Sequence, residues 1–269
     1  MNTKSQYAIN ELSFSRTGKG EPFVIIRGMS RSKKYWPEFD QSIAKWFDVI
    51  SPDNRGIGET RASAWFTDTI YDYALDYIDL LDDLDIEKAH FAGNSLGGMI
   101  GLAIGIKYPE RCHSLTVMNS SIGGNFYPRM QPEAGLKLAA SSWSKSRISS
   151  TFNQILTGGN LSKEDFTRLS KKWDALILDE GFPFFTTIAQ TLAAFRFKPL
   201  KMLQKIEIPT LLLYGEKDQF VPNYNSHIIH KNIPGSMLKS IDGGGHEMMA
   251  EYPEKIASVI RDFTNQVRK

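Results

Sequence analysis

A serine, an aspartate and a histidine stand in three turns of this 269-residue sequence, each just after a short apolar run. Ser95 lies in Gly93-Asn94-Ser95-Leu96-Gly97, a G-x-S-x-G pentapeptide. Residues 89–92 lead into it and an apolar stretch over 99–106 leads out, which is the strand–turn–helix setting of a nucleophile elbow. A turn that tight leaves no room for side chains two residues either side of the serine, and glycines at 93 and 97 supply the room. The following helix directs its N-terminus at the serine, where it favours a developing negative charge. Serine is a weak nucleophile until a base stands beside it. His246, in Gly243-Gly244-Gly245-His246, is a type that takes and returns a proton near neutral pH. Asp218, in Gly215-Glu216-Lys217-Asp218, is a type that orients an imidazole and stabilises its charged form. The order serine, aspartate, histidine is the one this pentapeptide predicts. The expected chemistry is acyl transfer to water through Ser95.

The other candidates read as structural. His90 falls in the strand before Ser95, His113 at the start of a strand on the far side of the sheet, and His227 and His230 on a surface helix. Cys112, the single cysteine, sits between a helix and a strand and reads as a packing residue. Glu216 is the nearest substitute for Asp218.

The elements that must position these residues alternate. Tyr7 to Phe14 reads as a strand of an opening hairpin. Pro22-Phe23-Val24-Ile25-Ile26 is a continuous apolar run, as in a parallel strand buried on both faces. Residues 38–47 form an amphipathic helix, 47–50 a strand, 69–84 a strongly amphipathic helix, and 114–118 a further strand. From about 125 to 198 the sequence is helical with no convincing strand. Ser162-Lys163-Glu164-Asp165 opens one helix as a capping box, running through Leu176, and 184–197 forms another. Strands resume at 209–214 and 236–241, and Pro253 opens a closing helix. This predicts an α/β fold: a doubly wound, mostly parallel sheet flanked by helices, with a helical cap insertion. The boundaries are 1–122 for the first part of the core, 123–199 for the insertion and 200–269 for the second part.

Lys and Arg total 32 against 30 Asp and Glu, a net charge of +2, so no strong electrostatic case exists for nucleic acid or an anionic membrane. One cysteine leaves no internal disulfide and no cysteine-rich metal site. The N-terminus lacks the apolar region of a secretory signal, and no apolar stretch approaches the roughly 20 residues of a membrane span. The expectation is a soluble, cytoplasmic protein with a small-molecule substrate.

The sequence resembles the capped α/β-hydrolases. The likeness rests on Arg27-Gly28-Met29, Asp53-Asn54-Arg55-Gly56-Ile57-Gly58, Gly93-Asn94-Ser95-Leu96-Gly97-Gly98 and Pro109-Glu110-Arg111. It rests also on residues 209–218 with Val221-Pro222, and on Gly245-His246. The resemblance implies a Ser95–Asp218–His246 triad and an oxyanion hole made of the backbone N–H groups of Met29 and Leu96. It implies no metal and no organic cofactor. Many members carry His-Gly where this chain has Arg27-Gly28; an ion pair of Arg27 with an acid such as Asp53 is the leading expectation, and attraction of an acidic substrate group the other. Trp143, Trp173 and Phe182 to Phe185 are candidates for an apolar acyl pocket or, more simply, for docking the insertion. The expected function is hydrolysis of a small ester, lactone or thioester. The rivals are a C–C bond hydrolase of diketone-type substrates, since the elbow is similar to theirs, and a ligand-binding receptor with slow turnover.

Overall fold

The computed structural model describes residues 6–7, 11–124, 131–141, 145–158 and 161–267. Eight strands form one sheet in the order β1-β2-β4-β3-β5-β6-β7-β8. They are β1 (Gln6–Tyr7), β2 (Ser13–Gly18), β3 (Pro22–Ile26), β4 (Asp48–Pro52), β5 (Ala89–Asn94), β6 (Cys112–Met118), β7 (Thr210–Gly215) and β8 (Met237–Ile241). β1 and β2 are antiparallel, and β4 through β8 run parallel. The helices are α1 (Pro37–Ile43), α2 (Ile70–Asp83), α3 (Leu96–Lys107), α4 (Pro132–Ser141), α5 (Lys145–Leu156), α6 (Lys163–Glu180), α7 (Phe184–Arg196), α8 (Tyr224–Asn232), α9 (Met248–Glu251) and α10 (Pro253–Val267).

Alternation along the strands feeds two cores. Val24, Ile26 and Leu212 face a layer holding Tyr73, Tyr77 and Ile100, while Phe23, Ile25, Leu211 and Leu213 face Phe39, Met249, Ile256 and Phe263. Both faces of the sheet are therefore covered at β3 and β7, which is why those strands read as unbroken apolar runs. Thr69 caps α2 in a reciprocal box with Asp72, fixing where the amphipathic pattern begins.

Several boundaries differ from expectation, β6 opening at Cys112 rather than 114 among them. The first strand divides: β1 stops at Tyr7 and β2 begins at Ser13. α1 ends at Ile43 rather than Phe47, because Phe47 leaves the helix to pack on Phe23 with ring centroids 5.0 Å apart. β4 is displaced with it, starting at Asp48 and running on to Pro52. α6 passes Leu176 and runs to Glu180, where Gly181 at φ 75° stops it. Between β6 and β7 the described residues contain helices and no strand. No helix among the described residues is long and apolar enough to cross a membrane.

Candidate active site

Ser95 joins β5 to α3 at φ 56° and ψ −116°, a conformation rare for any residue but glycine. Close packing holds it there. A Cβ on Gly93 would run into the Gly97 carbonyl, and one on Gly97 into the Ile26 carbonyl, so the elbow closes only with glycine at both places. The Ser95 N–H donates to the Met118 carbonyl at 2.9 Å, and the Ser95 carbonyl accepts from the Ser120 hydroxyl at 2.7 Å. Gly28 lies against the serine: a Cβ there would sit 3.5 Å from that of Ser95. Gly28 thus flanks Ser95 on one side. Leu96, the first residue of α3, flanks it on the other, with a backbone N–H that has no partner in the preceding turn.

His246 and Asp218 meet directly. Nδ1 of His246 lies 2.8 Å from Oδ2 of Asp218, and both residues are buried. The other carboxylate oxygen accepts the N–H groups of Phe220 and Val221 at 2.7 and 2.9 Å, so the aspartate is fixed before it engages the histidine. The Phe220 ring stands edge-on to the imidazole, 5.0 Å between centroids. A carboxylate on Nδ1 selects the tautomer in which Nε2 carries the free lone pair. Burial pushes the His246 pKa down, but the Asp218 charge and hydrogen bond outweigh it and hold the group above its ordinary value.

The loop after β6 brings serine and histidine to one place. Ser120 binds the Ser95 carbonyl, and its neighbour Asn119 donates from Nδ2 to the carbonyls of Gly245 and His246 at 2.9 and 3.0 Å. The Asn119 Oδ1 accepts the Gly215 N–H at 2.8 Å, so one buried amide ties the end of β7 to the histidine loop. A second tie comes from α9, where the Glu251 carboxyl accepts the Gly245 N–H at 3.1 and 3.2 Å. Glu247 accepts the Trp36 indole N–H at 2.6 Å and lies 3.5 Å from Arg31 Nε. Neither Asn119 nor Glu251 stands in a motif, and sequence reasoning missed both. The one available signal for Asn119 was a polar residue directly after a buried strand, the place where open parallel sheets bind ligands.

The remaining candidates fall away from the pair. Glu216 is exposed and makes no approach to the imidazole that Asp218 holds. His90 is buried between Ser114 and Glu21 at 2.8 and 2.9 Å, His113 and His227 are exposed, and His230 binds Ser236. The Cys112 thiol is buried, which pushes its pKa up to about 12 and suits packing rather than nucleophilic attack. Arg27 is ion-paired, but with Asp40 at 2.5 Å rather than Asp53, and it stacks on Trp36. Asp53 is taken by Lys33, whose ammonium is 2.8 Å away. Trp173 is fully buried beside Tyr35 and Arg31 and docks α6 on the core. Phe182, Phe184 and Phe185 are exposed and enclose no acyl pocket. Trp143 lies outside the described residues.

Residues 21–253 match the alpha/beta hydrolase fold family. A putative carbamate hydrolase, RutD, of Azorhizobium caulinodans is 25% identical over 96% of this chain and 96% of its own length. The human serine hydrolase BPHL is 25% identical over 97% of this chain and 86% of its own. Among solved structures, Est816, described as an N-acyl homoserine lactone degrading enzyme, superposes with a TM-score of 0.77 at 26% identity, covering 96% of this chain and all of the other.

Proposed function

The chain belongs to the alpha/beta hydrolase fold family, and from that premise we propose that it is a serine hydrolase of small carboxylic esters, lactones or thioesters. Ser95 is the nucleophile, His246 the general base and then acid, and Asp218 the group that orients and stabilises the imidazolium. As Ser95 Oγ attacks the substrate carbonyl, Nε2 of His246 takes its proton. The tetrahedral oxyanion accepts the backbone N–H groups of Met29 and Leu96, each such donor contributing about 3 kcal/mol to the barrier reduction. Nε2 then returns the proton to the departing alcohol or thiol, and Ser95 holds the acyl group. Water enters, gives its proton to Nε2 and attacks the acyl carbonyl; collapse releases the acid and restores Ser95.

The observation that carries this reading is the buried bond between His246 Nδ1 and Asp218 Oδ2, on a loop tied through Asn119 and Ser120 to the elbow of Ser95. The three named relatives support the class: one is named a serine hydrolase, and hydrolysis of a carbamate or a lactone, which the names of the other two give, passes through attack on a carbonyl bonded to a heteroatom. Residues 123–199 form the cap of the site in this reading, excluding water from the acyl intermediate.

The test is intact-mass analysis after incubation with a fluorophosphonate. Wild type should gain one adduct, and Ser95→Ala should gain none. A folded wild-type protein that stays unlabelled and inert to p-nitrophenyl esters would sink the reading.

A further inference from the structure

Helix α7 grips the loop that flanks Ser95. Thr187, Gln190 and Thr191, spaced to share one helix face, lie along residues 29–30. Gln190 Oε1 accepts the Ser30 N–H at 2.9 Å, the Ser30 and Thr187 hydroxyls share a hydrogen bond of 2.7 Å, and Thr191 Oγ1 lies 3.5 Å from Met29 Sδ. Ser30 is held at φ 58°, where a serine is seldom found.

Packing does not account for a glutamine at 190. The residue is fully buried, and its Nε2 has no hydrogen-bond partner among the described residues. A leucine would fill the same space without stranding an amide donor. What the amide supplies is an acceptor for the N–H of Ser30. That N–H lies one residue past Met29, in a turn closed by the Arg31 N–H on the Gly28 carbonyl at 3.3 Å. The same Gly28 rests against Ser95.

Building on the serine-hydrolase reading, we propose that Gln190 is a positioning residue for the oxyanion hole. It holds Ser30 at positive φ, and the turn held in that way keeps the Met29 N–H on the oxyanion of the Ser95 adduct. The hole is therefore completed by the segment inserted between β6 and β7, and not by the sheet domain alone.

The experiment compares Gln190→Met with wild type on p-nitrophenyl acetate, with fluorophosphonate labelling and circular dichroism alongside. A misaimed donor weakens the transition state far more than the ground state, so kcat should fall about 10- to 100-fold while KM stays within about 3-fold. The affinity of a phenylboronic acid, which forms a tetrahedral adduct on the serine, should fall in parallel with kcat. Adding Ser30→Gly to Gln190→Met should recover at least about 5-fold of the lost kcat, because glycine takes positive φ without being held. A folded Gln190→Met with wild-type kcat, a loss confined to KM, or no recovery by Ser30→Gly would each overturn the proposal. If Gln190→Met does not fold, Gln190→Asn, which keeps an amide but withdraws the acceptor from the Ser30 N–H, takes its place, and an unchanged kcat in that variant overturns it equally. A wild type that neither labels nor turns over ester marks failure of the serine-hydrolase reading instead, a result separate from any of these.

Discussion

Replacing Glu251 with glutamine should remove a stability loss that wild type suffers as the pH rises. Burial pushes the Glu251 carboxyl up to about 9; the Gly245 hydrogen bond pulls the other way, and the nearby charges of Glu247 and Asp218 add to the rise. Tyr252 is its neighbour in sequence, and His246 stands on the loop that Glu251 holds. Unfolded, the group returns to its ordinary value of 4.5. Between those two values the native state binds more protons than the unfolded one, so stability is complete below pH 4.5 and declines as the pH climbs toward 9. At 1.36 kcal/mol per pKa unit the ceiling is about 6 kcal/mol. Solvent reaches part of the Glu251 side chain and screens the penalty, so we expect about 3 kcal/mol. Glutamine keeps a carbonyl oxygen for the Gly245 N–H and cannot ionise. The stability difference between Glu251→Gln and wild type should therefore swing toward the variant by about 3 kcal/mol between pH 5 and pH 9. Urea unfolding at several pH values, followed by tryptophan fluorescence, measures it. Taking the difference cancels His246 and every other shared group. Parallel pH profiles for the two proteins, or a variant that loses ground as the pH rises, would refute the reasoning.

Asp218→Asn should lower kcat by about 10⁴-fold with the fold intact, since the amide cannot stabilise the imidazolium. The wild-type acid limb of kcat/KM should lie above 6.5, because the base must be neutral and Asp218 raises the pKa of His246, and in Asp218→Asn the limb should move down. A pH–rate series on both proteins checks this, and an unmoved limb contradicts it. Asn119→Leu breaks three hydrogen bonds and strands the Gly215 N–H. It should cost about 3 kcal/mol in urea unfolding and lower kcat at nearly constant KM. Wild-type values for both would show that the tie is idle.

The parts of the site that the sequence discloses are those imposed by local geometry. The elbow is legible because its constraint is steric and short in range: Gly93 and Gly97 admit no side chain, and the flanking apolar runs announce strand and helix. Asp218 and His246 are legible by position, the first just past the buried strand β7 and the second on the glycine-rich loop after β8. What stays hidden depends on residues far apart in the chain. Arg27 could have met any acid near a strand end, and nothing local distinguishes Asp40 from Asp53; the choice follows from Lys33 taking Asp53. Asn119 and Gly245 are 126 residues apart and Gln190 and Ser30 are 160 apart, so no pattern within one element announces either bond. The exposure of Phe182, Phe184 and Phe185 is equally illegible, since their apolar character fits a pocket as well as a surface.

The sheet order also has a temporal meaning. From β3 the strands β5, β6, β7 and β8 are laid down in turn toward one edge, β4 having been added on the other side, and the elbow of Ser95 rests on β3, β5 and β6, all of which precede residue 119. The histidine proposed to arm it comes about 150 residues after the serine. At ribosomal rates of about 5–20 residues per second, the proposed nucleophile waits roughly 8–30 s for its proposed base. During that interval a growing chain carries a serine on its finished turn with no group to take its proton. On the proposed function, reactivity arrives as a single late event in synthesis, when the segment holding Gly245 and His246 docks onto Asn119.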